Sequence, residues 1–386
     1  MEVIIFKKNE ILTSSFKNQK LQTLIHFNSF SELKNECYGN YEDLDTTKCN
    51  IDLLDKNSEK NRRAAAKYLH EYELVKLICK KQVISRAYFK LYEMVYHENI
   101  ILNVNLNCFF ICEAPGGFIE CVSDIRRKKN LRTNFISVSK FDQYIKYDRY
   151  LEPTSLIYSD ILVPDNLLET LEKVNKRFPT KLDFITADGG FDIKIFNGQE
   201  ILSSKLLLSE IFLAINTQKT GGMFIIKFFD MFSHNSIIYY LILCSLYNYV
   251  KIIKPKTSRN CNSERYLICY HFKGDDSLNG LIWEIIQNFQ VDNEKTSIVF
   301  PDFNFENYLE SIKKLKSFNN LIVFEQVKTI NESLKMVNGK NQYFQNLLLG
   351  IFLEKRNTLT FKGILASRIK KCSEFLRNLN INTNDI

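Results

Sequence analysis

The sequence predicts an α/β protein: an open, mainly parallel sheet with helices on both faces, followed by a mainly helical region. Two observations predict it. Strand-like and helix-like segments alternate from about residue 61 to 274. The strand-like runs are apolar almost throughout, as in strands buried on both faces, rather than alternating as in half-exposed sheets. Beyond about residue 275 the pattern turns helical and carries no chemical motif.

The elements follow in order. Residues 1–60 read as an N-terminal extension, with the polar stretch Asn40–Lys60 as an exposed linker. Helices are expected over Arg62–Lys81 and Ser85–Glu98. In the second, Ile84, Tyr88, Leu91 and Val95 share one face, and Lys90 lies roughly 130° around from that stripe, on a groove-facing flank or in solvent. Strands are expected at Asn107–Cys112, Asn134–Ser139, Ser155–Tyr158, Leu182–Ala187, Gly222–Phe229, Tyr249–Ile253 and Arg265–Phe272. Gly117–Arg127, Asp165–Arg177, Gln199–Thr217 and His234–Tyr247 are the helices between them. The final region, 275–386, offers Leu278–Phe289, Phe305–Ser317 and the amphipathic Lys362–Leu379.

Composition narrows the function. The net charge is +8, and it is unevenly placed. Between Ser58 and Lys90 nine basic residues face only Glu59, Glu71 and Glu73. Further basic runs are Arg126–Lys129 and Lys251–Arg265. Such patches suit a polyanion such as RNA. The ten cysteines include no CxxC pair and no Cys/His cluster at zinc spacing, so no metal site is expected. The start lacks a signal-peptide core, and Ile237–Tyr247 is too short to span a bilayer, which points to an intracellular protein with no membrane partner.

Four places carry chemistry. Glu113-Ala114-Pro115-Gly116-Gly117-Phe118 joins a strand to a helix, a turn that lets a ligand approach backbone at a helix N-terminus. It is neither GxGxxG nor a Walker A loop, which argues against a dinucleotide or a nucleoside triphosphate. Asp188 follows a strand and precedes Gly189-Gly190, a turn signal that also falls where open α/β sheets place their ligands. Lys227 interrupts an apolar strand, where a charge is rarely buried without a partner. Glu264 opens the last strand. If that strand runs antiparallel, its start shares an edge with the ends of the others, and Asp188, Lys227 and Glu264 meet beside the glycine turn.

Five ordered motifs then form a pattern: Ser85-Arg86-Ala87-Tyr88-Phe89-Lys90-Leu91, Cys112–Phe118, Asp188-Gly189-Gly190-Phe191, Gly221–Lys227, and Lys254-Pro255 through Ser258-Arg259 to Asn262-Ser263-Glu264-Arg265-Tyr266. The set is similar to the FtsJ-like ribose 2′-O-methyltransferases, and its wording most resembles their mRNA cap branch, in eukaryotic and large-DNA-virus forms. The resemblance spans residues 85–266. It implies a Rossmann-like methyltransferase domain at 61–274, with Lys90, Asp188, Lys227 and Glu264 as the reacting tetrad. It implies S-adenosylmethionine at Glu113, Ala114, Pro115, Gly116, Gly117 and Phe118, with Ser85 reaching it and Asp160 near the adenine. It places RNA against Arg86, Arg259 and Asn262. Capped mRNA is the implied substrate, with other capping or transcription proteins as partners, in the cytoplasm if the source is viral and otherwise in the nucleus. One departure is visible: Ser137-Val138-Ser139-Lys140 supplies no acid for the cofactor ribose, and Asp142 lies further on.

The resemblance makes Lys227 the base or the group that steers the hydroxyl. A lysine is a base only if its pKa falls toward neutrality. A second ammonium ~5 Å away at an effective dielectric of ~20, a role open to Lys90, would lower it by about two units. Asp188 and Glu264 push the other way. The alternatives are the same chemistry on ribosomal or other structured RNA, and a non-catalytic RNA-binding or polymerase-accessory subunit on this fold.

Overall fold

Strands form where Phe, Ile, Val and Leu run together. The computed structural model describes residues 41–54, 56–100, 102, 106–140, 155–190, 198–289, 309–338 and 359–382. Its sheet has seven strands: β1 (Asn107–Ile111), β2 (Asn134–Ser139), β3 (Leu156–Tyr158), β4 (Leu182–Ala187), β5 (Gln218–Phe228), β6 (Tyr247–Ile253) and β7 (Arg265–Phe272), in the order β3-β2-β1-β4-β5-β7-β6. The first five pair in parallel, and β7 runs antiparallel between β5 and β6. This is the Rossmann-like methyltransferase architecture expected from the sequence. The order reverses between β1 and β4, which opens a crevice at their carboxyl ends.

Both faces of the sheet are buried, and the two-residue period of the strands divides them. Phe109, Ile111, Ile185, Ile226 and Leu267 enter one core with α6 (Pro164–Arg177), α7 (Gln199–Thr217), α8 (His234–Leu246) and α9 (Asn279–Gln287). Cys108, Phe110, Phe184, Ile225 and Ile268 enter the other. That second core is closed by α3 (Val75–Ile78), α4 (Ala87–His97), α5 (Gly117–Arg127) and α11 (Leu359–Asn378). Local chemistry agrees: Pro164 sits in the first turn of α6, and Ser233 caps α8 by accepting from Ser236 N. Among the described residues no helix is long and apolar enough to cross a membrane.

Three expectations are corrected. Asn40–Lys60 is not an exposed linker: it holds α1 (Tyr41–Asp52) and the start of α2 (Lys56–Leu69). Leu44 and Ile51 are buried against Val323, Ile330 and Leu334 of α10 (Leu309–Asn338), partners some 280 residues away. Arg62–Lys81 is not one helix, because α2 stops at Leu69. The turn that follows is held from outside: Tyr72 packs on Phe375, and the Glu73 carboxylate takes Arg86 and Arg259. The helix expected over Phe305–Ser317 extends to Asn338; residues 305–308 lie outside the described residues.

Candidate active site

The site assembles at the carboxyl edge of β1, β4 and β5, where the antiparallel β7 begins. At the end of β1, Cys112 takes φ 56° and leads into the Glu113–Phe118 loop, with a cis peptide bond between Ala114 and Pro115. Gly116, at φ 108°, precedes α5 in a left-handed conformation that favours glycine. A Cβ on Gly117 would lie 2.2 Å from Ser85 Oγ and 3.0 Å from Tyr88 N, so the loop approaches the start of α4 as glycine permits. The Glu113 carboxyl is buried; Oε1 accepts from Phe118 N at 2.5 Å, while Oε2 has no hydrogen-bond partner among the described residues. Burial first, then the Asp188 charge, pushes that carboxyl well above the usual range. Ser139, at the end of β2, accepts from Ala114 N at 3.0 Å and braces the loop.

Two ion pairs face each other across the cleft. Lys227 Nζ lies 3.1 Å from Asp188 Oδ1 and donates to the Asp188 carbonyl at 2.7 Å. Tyr266, the ladder partner of Lys227, donates its hydroxyl to the same Asp188 Oδ1 at 2.9 Å. Lys90 Nζ meets Glu264 Oε2 at 2.8 Å, so Lys90 is on the groove side of α4. Burial opposes the Lys227 charge, but the carboxylates of Asp188 and Glu264 outweigh it and hold the lysine above its ordinary pKa. The direction of this shift favours the ammonium form. Burial also opposes the Glu264 charge, yet Lys90 and Lys227 pull its carboxyl down to about 2.

The loop from Lys254 to Glu264 is pinned from two sides. Lys254 Nζ donates to the carbonyls of Asn262 (2.7 Å) and Glu264 (2.8 Å), and burial lowers its pKa to about 8. Glu93, one turn beyond Lys90 on α4, accepts from Lys256 N, Thr257 N and Thr257 Oγ1 at 2.8–3.2 Å. One helix thus presents Lys90 and fixes the loop that carries its partner Glu264.

A cavity of about 440 Å³ is lined by Asp188, Lys227, Asn262 and Glu264, and Lys90 stands behind Glu264 outside that lining. Its far wall comes from the ends of the described chain: Lys48 of α1, Arg62 of α2 and Gln326 of α10. Lys48 is anchored by Asp230, just past β5, and Arg62 donates to Glu59 at 2.6 Å. Sequence reasoning counted Arg62 as one charge in a run and passed over Lys48 and Gln326, since nothing local marks a residue that meets the site only after long-range packing.

The remaining nominated residues are placed as follows. Arg86 (2.5 Å) and Arg259 (2.7 Å) converge on Glu73, and Arg86 also donates to the Thr257 carbonyl at 2.8 Å. They brace the loop rather than stand open toward solvent. Asp160 lies past β3 and pairs with Lys140 at 2.7 Å; partial burial opposes its charge, but Lys140 outweighs this and keeps the carboxyl below the ordinary value. Asp142 lies outside the described residues, as do Phe191 and most of the loop that follows it. Glu210 was missed. It sits in the apolar stretch Leu206–Ala214, the same signal that singled out Lys227.

Known proteins resemble this chain in sequence. The model of the FtsJ-like methyltransferase family matches residues 83–272. The cap-specific mRNA (nucleoside-2′-O-)-methyltransferase 2 of Danio rerio is 28% identical over 279 residues, which cover 66% of this chain and 37% of that protein. The cap-specific mRNA (nucleoside-2′-O-)-methyltransferase 1 of Ailuropoda melanoleuca is 31% identical over 254 residues, 58% of this chain and 30% of that protein. The chain therefore spans about a third of the length of these relatives. A crystal structure assigned to a ribosomal RNA methyltransferase of Plasmodium falciparum is similar at a TM-score of 0.39 and 22% identity, covering 50% of this chain and 99% of that one.

Proposed function

Since residues 83–272 are an FtsJ-like methyltransferase domain, we propose that this chain methylates the 2′-hydroxyl of a cap-proximal ribose, the first transcribed nucleotide, in capped mRNA. The observation that carries the reading is the meeting of the Lys227–Asp188 and Lys90–Glu264 pairs beside the Glu113–Phe118 loop. The cap-specific relatives support the choice of substrate.

S-adenosylmethionine fits what the loop offers. Ser85 Oγ and Glu113 Oε2 are buried polar atoms without hydrogen-bond partners among the described residues, and Gly117 permits close approach at a helix start. Ser85 and Glu113–Phe118 would hold the cofactor, with Asp160 toward its adenine. When bound, it supplies an electrophilic methyl group on a sulfonium.

The chain's own part is orientation and charge. An ammonium has three N–H donors. Lys227 spends two on the carbonyl and carboxylate of Asp188, and the third is left for the ribose oxygen. Held as an ammonium, Lys227 steers that oxygen and stabilises the negative charge on it while the methyl group transfers and the hydroxyl proton is lost to water, an effect worth ~10²–10³ in rate at comparable sites. Asp188 fixes the lysine, Tyr266 fixes Asp188, and Lys90 holds Glu264 ionised. Arg62, Lys48 and the loop bearing Asn262 and Arg259 flank the path of the RNA, whose phosphates favour cationic walls.

The test is mass spectrometry of capped and uncapped transcripts of equal sequence after incubation with S-adenosylmethionine. The expected product is one ribose methyl next to the cap, absent with Lys227→Ala. Equal methylation of both transcripts would remove the cap from the proposal, and full activity of Lys227→Ala would remove the site.

A further inference from the structure

Beneath the tetrad lies a carboxyl that the mechanism above does not use. Glu210, on α7, is 1% exposed. Its Oε1 accepts from Gly189 N at 3.2 Å. The Cys112 side chain lies against the same turn, its Cβ 3.2 Å from a Cβ built on Gly189, and its thiol favours the charged form of this carboxyl. Oε2 is buried with no hydrogen-bond partner among the described residues. A Cβ on Gly189 would fall 2.2 Å from Oε1, so the turn rests directly on this side chain. Cys112 is the last residue before the Glu113–Phe118 loop, and Gly189 the first after Asp188. One side chain therefore touches both loops that meet at the reacting centre.

We infer that Glu210 is a positioning residue for methyl transfer, tying the cofactor loop to the Asp188 turn and acting through Asp188 on Lys227. The inference rests on the function proposed above.

The groups facing this carboxyl are Cys112 at the end of β1, Asp188 after β4 and Lys227 on β5. Burial raises its pKa most, Lys227 lowers it and Asp188 raises it, and the balance falls at about 8. Below that pH Glu210 is a neutral bridge. Above it, a further carboxylate appears beside the Lys227 ammonium and draws off part of the field that would stabilise the alkoxide.

The experiment follows the wild-type protein and Glu210→Gln from pH 6 to 10, by single-turnover methyl transfer to capped RNA at saturating cofactor and by carboxyl titration with ¹³C-labelled glutamate. A glutamate resonance titrating near pH 8 and lost in Glu210→Gln is expected, together with a fall in the wild-type rate at the same pH that the variant lacks. Superimposable rate profiles of the two proteins would reduce Glu210 to a structural residue and overturn the proposal. So would a carboxyl that titrates in the ordinary range. Should Glu210→Gln fail to fold, Cys112→Ala serves: losing the thiol moves the inflection to higher pH, and an unmoved inflection overturns the proposal. Failure of the functional reading is separable, because the wild-type protein would then transfer no methyl group at any pH while the carboxyl titration is still measured.

Discussion

The two ion pairs of the cleft are built by opposite means. Lys227 and Asp188 belong to neighbouring parallel strands, and backbone ladders set their separation: Ala187 pairs with Ile226, and Lys227 pairs with Tyr266. Lys90 and Glu264 have no shared ladder. A helix brings one and a loop brings the other, and side chains set the distance: Glu93 to the amides of 256 and 257, Arg86 to the Thr257 carbonyl, Glu73 to both arginines. A ladder is cooperative and hard to deform, so it suits the lysine proposed to meet the reacting oxygen. A side-chain network can shift with what binds it, so it suits a pair that balances charge at the mouth of the proposed RNA path.

That contrast can be tested from its strongest consequence downward. Lys227→Ala should lower single-turnover methyl transfer by ~10³-fold with cofactor affinity retained, as for loss of a charge-stabilising donor. A comparable loss in Lys90→Met would break the distinction between the pairs; about 10-fold to 10²-fold is expected there. Lys90→Met should also reveal itself in acid. The depressed Glu264 carboxyl adds stability that is complete above its unfolded value near 4.5 and lost as pH falls toward about 2. Without Lys90 that carboxyl titrates higher, and the acid-unfolding midpoint should move up.

On the strand side, Glu210 carries the opposite linkage. Its folded pKa is raised, so the unfolded chain releases a proton that the folded one keeps, and stability falls between pH 4.5 and about 8. Denaturant titration of Glu210→Gln should show this fall removed, a gain of up to about 3 kcal/mol at neutral pH by linkage. On the loop side, Glu93→Ala removes three hydrogen bonds and should cost about 2 kcal/mol, with a rise in KM for RNA larger than any change in cofactor affinity. The smallest effect is Arg62→Ala, which should flatten the slope of log affinity against log salt by ~1 if this side chain meets a phosphate.

What the sequence could reveal follows the same division. Strands such as Leu182–Ala187 were legible because burial on both faces demands apolar residues throughout, and Lys227 stood out against them. Glu210 sent the same signal from Leu206–Ala214 and passed unread, since a polar residue in a helix is by default assigned to a solvent face. Helix α1 was illegible for a different reason. Its composition is polar, and only Leu44 and Ile51 mark a buried stripe that α10 completes from far along the chain. Charge counting misled as well. The basic run from Ser58 to Lys90 looks nearly unopposed in one dimension, yet Lys81 meets Glu120 and Asp124, and Lys90 meets Glu264. Summed charge is readable from a sequence; pairing is a property of the fold.

The wall made by α1, α2 and α10 also imposes an order in time. A chain leaves the ribosome from its N-terminus at ~5–20 residues per second. Helices α1 and α2 emerge first and wait while the whole sheet is synthesised, and they find their packing partner only when α10 appears. The core behind the glycine turn, which holds Phe118 and Ile119, closes later still, when Cys372, Phe375 and Leu376 of α11 arrive. Both walls of the cleft therefore wait for the helices that follow the sheet.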